Sequence, residues 1–183
     1  MTNKLKDIKK NKLVIFDLDD TLVKTDAKTK IVDSKTGKVI RELTPEEFNK
    51  FKKTRKHIIN YDDFESPEIL RQGKIIKSVF SKLVRYYKNS VPVAILTARS
   101  SKDLVRNFFL ENGIDIHPSL VVAVHDPSCP YEGSIPERKQ QAIKDFIEDG
   151  YTDLIFFDDD EDNLRLAKEV ENHIDCKIKI IKV

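Results

Sequence analysis

Lys12-Leu13-Val14-Ile15-Phe16-Asp17-Leu18-Asp19-Asp20-Thr21-Leu22 is the stretch from which the fold can be read. Four consecutive apolar residues, two of them β-branched, run directly into an acidic turn. A strand buried on both faces of a parallel sheet reads this way, and it delivers its polar groups at the carboxyl end. Four more short apolar segments of the same kind follow, at 92–97, 120–124, 153–157 and 177–181. Between them the apolar residues return at helical spacing. Ile75, Ile76, Val79, Phe80, Leu83, Val84 and Tyr87 share one face, as do Leu104, Val105, Phe108 and Phe109, and then Ile143, Phe146 and Ile147. Repeated βα units of this sort predict an α/β fold, a three-layer Rossmann-like sandwich on a five-stranded parallel sheet.

One domain over 1–183 accommodates that pattern. Charged residues make up 35% and hydrophobic ones 39%, a balance that supports a globular fold and excludes general disorder. The net charge is +2, from 33 basic and 31 acidic residues, which by itself does not mark a nucleic-acid-binding protein. The longest apolar runs, 13–16, 91–96 and 120–124, fall far short of the roughly 20 residues a membrane-spanning helix needs. The first twelve residues are polar and lysine-rich, with no following apolar segment of signal-peptide length, so a cytoplasmic location is expected. Cys129 and Cys176 stand far apart, suggesting neither a disulfide framework nor a zinc site.

The interval after the first strand is long. Residues 30–33 and 38–43 flank Ser34-Lys35-Thr36-Gly37, whose glycine suits a tight turn, so a β-hairpin is expected. Thr44-Pro45-Glu46-Glu47 then supplies an N-cap, a proline at the first helical position and a glutamate three residues after the cap, which predicts a helix start. Residues 24–68 are accordingly read as a small insertion, followed by a helix beginning near Ile69.

Ligands of open parallel sheets bind beyond the carboxyl ends of the strands, and four of the five segments end there in reactive groups. The first runs into Asp17-Leu18-Asp19-Asp20-Thr21, the second into Thr97-Ala98-Arg99, and the fourth into Asp158-Asp159 with Asn163 beyond. Arg138-Lys139 opens the helix after the third. Taken in this order, the motifs resemble those of haloacid dehalogenase superfamily phosphatases, and they span residues 17–163. The Asp-x-Asp-x-Thr, Thr-Ala-Arg and Asp-Asp arrangement is also similar to that of the phosphatase domains of phage polynucleotide kinases.

The resemblance implies a Mg2+-dependent phosphohydrolase with Asp17 as nucleophile and Asp19 as acid and base. It implies phosphoryl contacts from Thr97 and Lys139 and substrate contacts from Thr21 and Arg99. Metal ligands would be Asp17, the backbone carbonyl of Asp19, and Asp159, with Asp158 and Asn163 orienting them. The chemistry is coherent, because a carboxylate approaches an anionic ester only when cations neutralise both groups. The third motif's cation is either Arg138 or Lys139. Arg99 is read either as a contact to a second substrate group or as a cap on the sheet edge.

Each position has a plainer reading. The acidic run places Asp158, Asp160, Asp162 and Glu169 at positions of a calcium loop, although Asn163 stands where that loop needs glycine. His125 either lines the cleft or is structural, and Cys129 has no evident activating environment. Lys50, Lys52, Lys53, Arg55, Lys56 and His57, interleaved with Phe48, Phe51 and Tyr61, are either a solvated helix face or a groove for a nucleic-acid strand. The expected partner is therefore a phosphorylated small molecule, a nucleotide or a nucleic-acid end, with no membrane association.

Overall fold

The computed structural model describes residues 11–183. The stretch 1–10, on which most of the expectation about export rested, lies outside them. In chain order the elements are β1 (Lys12–Phe16), β2 (Val23–Lys24), β3 (Thr29–Asp33), β4 (Val39–Leu43), α1 (Pro45–Asn49), β5 (His57–Asn60), α2 (Asp62–Glu65), α3 (Pro67–Gln72) and β6 (Lys74–Ile75). After these come α4 (Lys77–Lys88), β7 (Val93–Thr97), α5 (Lys102–Glu111), β8 (Val121–Ala123), α6 (Ile135–Glu148), β9 (Asp153–Asp158), α7 (Glu161–Glu169) and β10 (Lys177–Lys182).

Five strands form one parallel sheet in the order β10-β9-β1-β7-β8. Period-two alternation along β1 divides its side chains between two cores. Val14 and Phe16 pack with Val79 and Leu83 of α4 and with Val105, Phe108 and Phe109 of α5. Leu13 and Ile15 face Ala142, Ile143 and Phe146 of α6 and Leu164 and Ala167 of α7. Phe16 and Phe157 stack at 4.7 Å between ring centroids, closing the first core across the β1–β9 pair. Burying a large apolar side chain of this kind contributes about 1.5–3 kcal/mol, so the two cores set the position of β1 firmly. The chain leaves β1 through β7 and β8 and returns to β9 on its other side. That reversal puts a crevice at the carboxyl ends of β1 and β9, where such sheets bind ligands.

The insertion is a separate three-stranded antiparallel sheet, β4-β3-β5. Its expected turn is present: the Asp33 carboxylate accepts from the backbone N–H groups of Lys35 and Thr36, and Gly37 takes a φ of +67°. The expected capping box is also present, with Thr44 accepting from the Glu47 N–H and Glu47 accepting from the Thr44 N–H. Three features differ from the sequence reading. Residues 50–56 form no helix; they are the loop between α1 and β5, because α1 stops at Asn49 and His57–Asn60 pairs with β3. The helix expected from near Ile69 is broken into α3 and α4. Gly73 adopts an extended ψ of 143°, and β6 pairs antiparallel with β2. An added Cβ at Gly73 would lie 2.5 Å from Val23 Cγ1, so the close approach of this two-stranded neck needs glycine. The neck also moves the insertion's end from residue 68 to Gly73. Among the described residues, no helix is long and apolar enough to cross a membrane.

Candidate active site

Asp17 follows β1 and is held there by its N–H, which donates to the Phe157 carbonyl at 2.9 Å. The alternation that turns Leu13 and Ile15 toward α6 turns Asp17 the same way. Lys139 meets it there. Lys139 Nζ donates to Asp17 Oδ1 and to Asp158 Oδ2, each at 2.8 Å, and the ammonium group is buried. Lys139 lies on the α6 face that carries Ala142, Ile143 and Phe146, at spacings of three, four and seven residues. Arg138 points elsewhere and donates to the carbonyls of Gly133 and Val124. The apolar stripe of α6 was the signal that separates the two cations, since a lysine on that stripe is directed inward.

Asp158 ends β9 fully buried. Its Oδ2 accepts from Lys139, and its Oδ1 from the Asp160 N–H at 2.9 Å and Asn163 Nδ2 at 3.0 Å. Asp160 is the N-cap of α7, accepting from the N–H groups of Asp162 and Asn163. Asp162 and Glu169 lie on the exposed side of α7, paired with Arg165. The acidic run is therefore a strand end, a cap and a helix, and not a calcium loop.

Carboxylate oxygens of Asp17, Asp158 and Asp159 all lie within 4.8 Å of one another. Against these three acids stands one ammonium, Lys139, leaving two negative charges in excess in a largely buried cluster. The titration behaviour reflects this. Burial raises the Asp17 carboxyl well above the usual range, with Asp158 adding to the rise and Lys139 opposing it. Burial, with the charge of Asp158, pushes Asp159 up to about 6. For Lys139 burial alone favours the neutral form, but the charges of Asp17 and Asp158 outweigh it and hold the ammonium protonated. Asn163 Oδ1 is buried and accepts no hydrogen bond among the described residues, an unusual state for a buried amide oxygen.

The turn from 18 to 23 is closed by the Leu22 and Val23 N–H groups donating to the Leu18 carbonyl, with Asp20 in the left-handed region at φ 57°. It orients two further groups. Thr21, fully buried, donates its hydroxyl to Asp159 Oδ1 at 3.3 Å. Asp19 receives a two-pronged pair from Arg99, Nε to Oδ2 at 2.9 Å and Nη2 to Oδ1 at 2.8 Å. Arg99 is itself buried and donates through Nη1 to the Phe64 carbonyl of the insertion, while its N–H donates to Thr97 Oγ1 at 3.3 Å. Thr21 and Arg99, expected as substrate contacts, are thus engaged with Asp159 and Asp19. His125 hydrogen-bonds the Ala98 carbonyl through Nδ1 at 2.8 Å and ties down the loop after β7. Cys129 is a half-buried free thiol packed beside the α6 core.

All nine sequence-predicted residues, Asp17, Asp19, Thr21, Thr97, Arg99, Lys139, Asp158, Asp159 and Asn163, lie at the carboxyl ends of β1, β7 and β9 or on α6 and α7 beside them. No protein-family model, curated protein or solved structure matches the chain.

Proposed function

We propose that this protein is a metal-dependent phosphohydrolase that cleaves phosphomonoesters through an aspartyl-phosphate on Asp17. The observation that carries the reading is the buried Lys139 ammonium shared between Asp17 and Asp158 at 2.8 Å, with Asp159 beside them. A structural ion pair needs one carboxylate, whereas this lysine is surrounded by acids it cannot neutralise.

The donor set fits a divalent cation. Three carboxylates are hard oxygen ligands of the kind Mg2+ takes, and their excess over Lys139 is the charge such an ion carries. Both oxygens of Asp158 are already occupied, so Asp17 and Asp159 are the acids we assign as ligands, together with the Asp19 carbonyl. Asn163 Oδ1, buried and without a hydrogen-bond partner among the described residues, is the acceptor we assign to a water at the site. When bound, Mg2+ supplies positive charge that lowers the repulsion between a carboxylate and a phosphate dianion.

In the reaction proposed, a carboxylate oxygen of Asp17 attacks phosphorus as the bond to the leaving oxygen breaks. Asp19, entering the step protonated, gives that oxygen its proton, which requires that the two-pronged Arg99 contact to its carboxylate open. Asp19 then accepts a proton from the water that attacks the phosphorus of the acyl phosphate, and the Asp17–phosphorus bond breaks to release inorganic phosphate. Lys139 and the Thr97 hydroxyl hold the phosphoryl oxygens, supplying fixed positive charge and a donor where negative charge develops. Arg99 aims Asp19, and Thr21 aims Asp159.

Turnover of an aryl phosphate with Mg2+, in wild type and in Asp17→Asn, tests this reading. Hydrolysis that stops on chelation and is absent from Asp17→Asn is expected. Phosphate binding without hydrolysis by the wild type would instead mark a phosphate-sensing protein, and equal turnover in excess chelator would remove the metal from the account.

A further inference from the structure

The carbonyl oxygens of Thr97, Ala98 and Arg99, in succession where β7 ends, are all taken up by residues 124 and 125. The Val124 N–H donates to the Thr97 carbonyl at 2.8 Å, the His125 imidazole hydrogen-bonds the Ala98 carbonyl through Nδ1 at 2.8 Å, and the His125 N–H donates to the Arg99 carbonyl at 3.3 Å. Pairing between β7 and β8 stops at Thr97 and Ala123, so this grip lies beyond the sheet. Two of the three bonds come from the backbone and do not depend on the side chain at 125. The middle one exists only because that residue is histidine. A carbonyl oxygen can only accept, so Nδ1 carries the proton and the tautomer is assigned. Asp126 extends the grip to the start of α5, its Oδ2 accepting from the Lys102 N–H at 2.9 Å.

The segment held in this way carries two of the proposed working parts. Thr97 Oγ1 accepts from the Arg99 N–H at 3.3 Å, which leaves the hydroxyl hydrogen for another acceptor. The Arg99 side chain holds Asp19 through both carboxylate oxygens. The carbonyl that accepts from His125 and the N–H that donates to Thr97 are the two ends of one peptide unit, Ala98–Arg99, and a peptide unit is a rigid plane. The imidazole at one end of that plane therefore sets the hydroxyl at the other, together with the direction in which the Arg99 side chain leaves the backbone.

We propose that His125 is a positioning residue for the phosphoryl-transfer chemistry, acting through the Ala98–Arg99 peptide plane on the Thr97 hydroxyl and on Arg99; this rests on the phosphohydrolase reading above. A role in stability alone fits the surroundings poorly. His125 is exposed and Ala98 only half-buried, so water can replace the imidazole as the donor to the carbonyl. Water does not replace the direction of the bond. A displacement of about 1 Å at a reacting group costs on the order of a hundredfold in rate.

The test is kcat/KM with Mg2+ for two aryl phosphates in wild type, His125→Ala and His125→Asn. The leaving oxygen of 4-nitrophenyl phosphate needs little help from a proton, whereas that of phenyl phosphate needs it, so only the second reports fully on Asp19. His125→Ala is expected to lose about tenfold on the first and about a hundredfold on the second, with its denaturant midpoint unchanged. Asparagine can present its amide Nδ2 where the imidazole presents Nδ1, and His125→Asn is expected to recover most of both losses. A readout independent of turnover accompanies these: hydrogen exchange at the Arg99 amide should quicken in His125→Ala and slow again in His125→Asn. Equal losses on the two substrates, losses that asparagine does not recover, or Arg99 exchange unaltered in His125→Ala would each overturn the proposal. No turnover by the wild type would overturn the phosphohydrolase reading and this role with it, whereas wild-type turnover matched by His125→Ala would overturn this role alone.

Discussion

The parallel-sheet body and the inserted antiparallel sheet are built on opposite terms. In the body every strand of the sheet interior is buried on both faces, and the two cores share β1 between them. In the insertion one face is buried through Ile31 and Leu43, while Val39, Ile40 and Ile58 remain about half exposed. Polar links compensate for the thin core: the Asp33 turn, the Thr44–Glu47 capping box and Asp63, which receives Lys30 and the Lys28 N–H. The body holds the proposed reacting groups in fixed positions, and the insertion holds none of them. Arg99 joins the two, pairing with Asp19 on one side and the Phe64 carbonyl on the other. A rigid scaffold for the chemistry and a less strongly anchored element beside it is the division this comparison suggests.

Substitutions can break that division. Asp17→Asn is expected to lower turnover by about 10⁴-fold or more while leaving the fold unchanged, measured by steady-state kinetics beside circular dichroism. Phe16→Ala, which removes a stacked ring from the centre of the body, should cost about 3–5 kcal/mol in denaturant unfolding. Ile31→Ala in the insertion should cost nearer ~2 kcal/mol, at the low end for such truncations because a sheet open on one face can settle around the gap. Hydrogen exchange sharpens the contrast: β3 and β5 amides should exchange faster than those of β1 and β9, and equal protection would show a single cooperative unit.

The smallest effect is expected at Asp63. Burial works to raise its carboxyl, but the Lys30 ammonium and the Lys28 N–H outweigh it and hold it below the usual value. A depressed folded value means that unfolding takes up protons. The contribution is therefore complete above about pH 3.9, the unfolded value, and is lost as pH falls through the lower folded one. Asp63→Asn should remove this part of the acid sensitivity, read as a smaller difference in stability between pH 5 and acid.

The sequence carried the body almost to the residue, because buried parallel strands are continuous apolar runs and their helices repeat at 3.6. Asp17 and Asp158 were legible for the same reason, since each is fixed by its place at a strand end, whereas the reading left the third motif's cation between Arg138 and Lys139, although the apolar stripe of α6 separates them. The insertion was less legible. His57-Ile58-Ile59-Asn60 is too short to show alternation, so β5 merged with the basic stretch before it. The helix break at Gly73 depends on contact with Val23, fifty residues earlier, which no local pattern reports. The engagements of Arg99 with Asp19 and of Thr21 with Asp159 join residues 80 and 138 positions apart, and only the folded chain pairs them.

The central claim is that Asp17 attacks phosphorus, and a structure of the wild type with Mg2+ and beryllium fluoride tests it most directly. The account predicts a trifluoroberyllate on an Asp17 carboxylate oxygen, with Lys139 Nζ and Thr97 Oγ1 on its fluorines and the cation between Asp17 and Asp159. A fluoroberyllate on any other residue, or an Asp17 carboxylate left unmodified under saturating reagent, would contradict it.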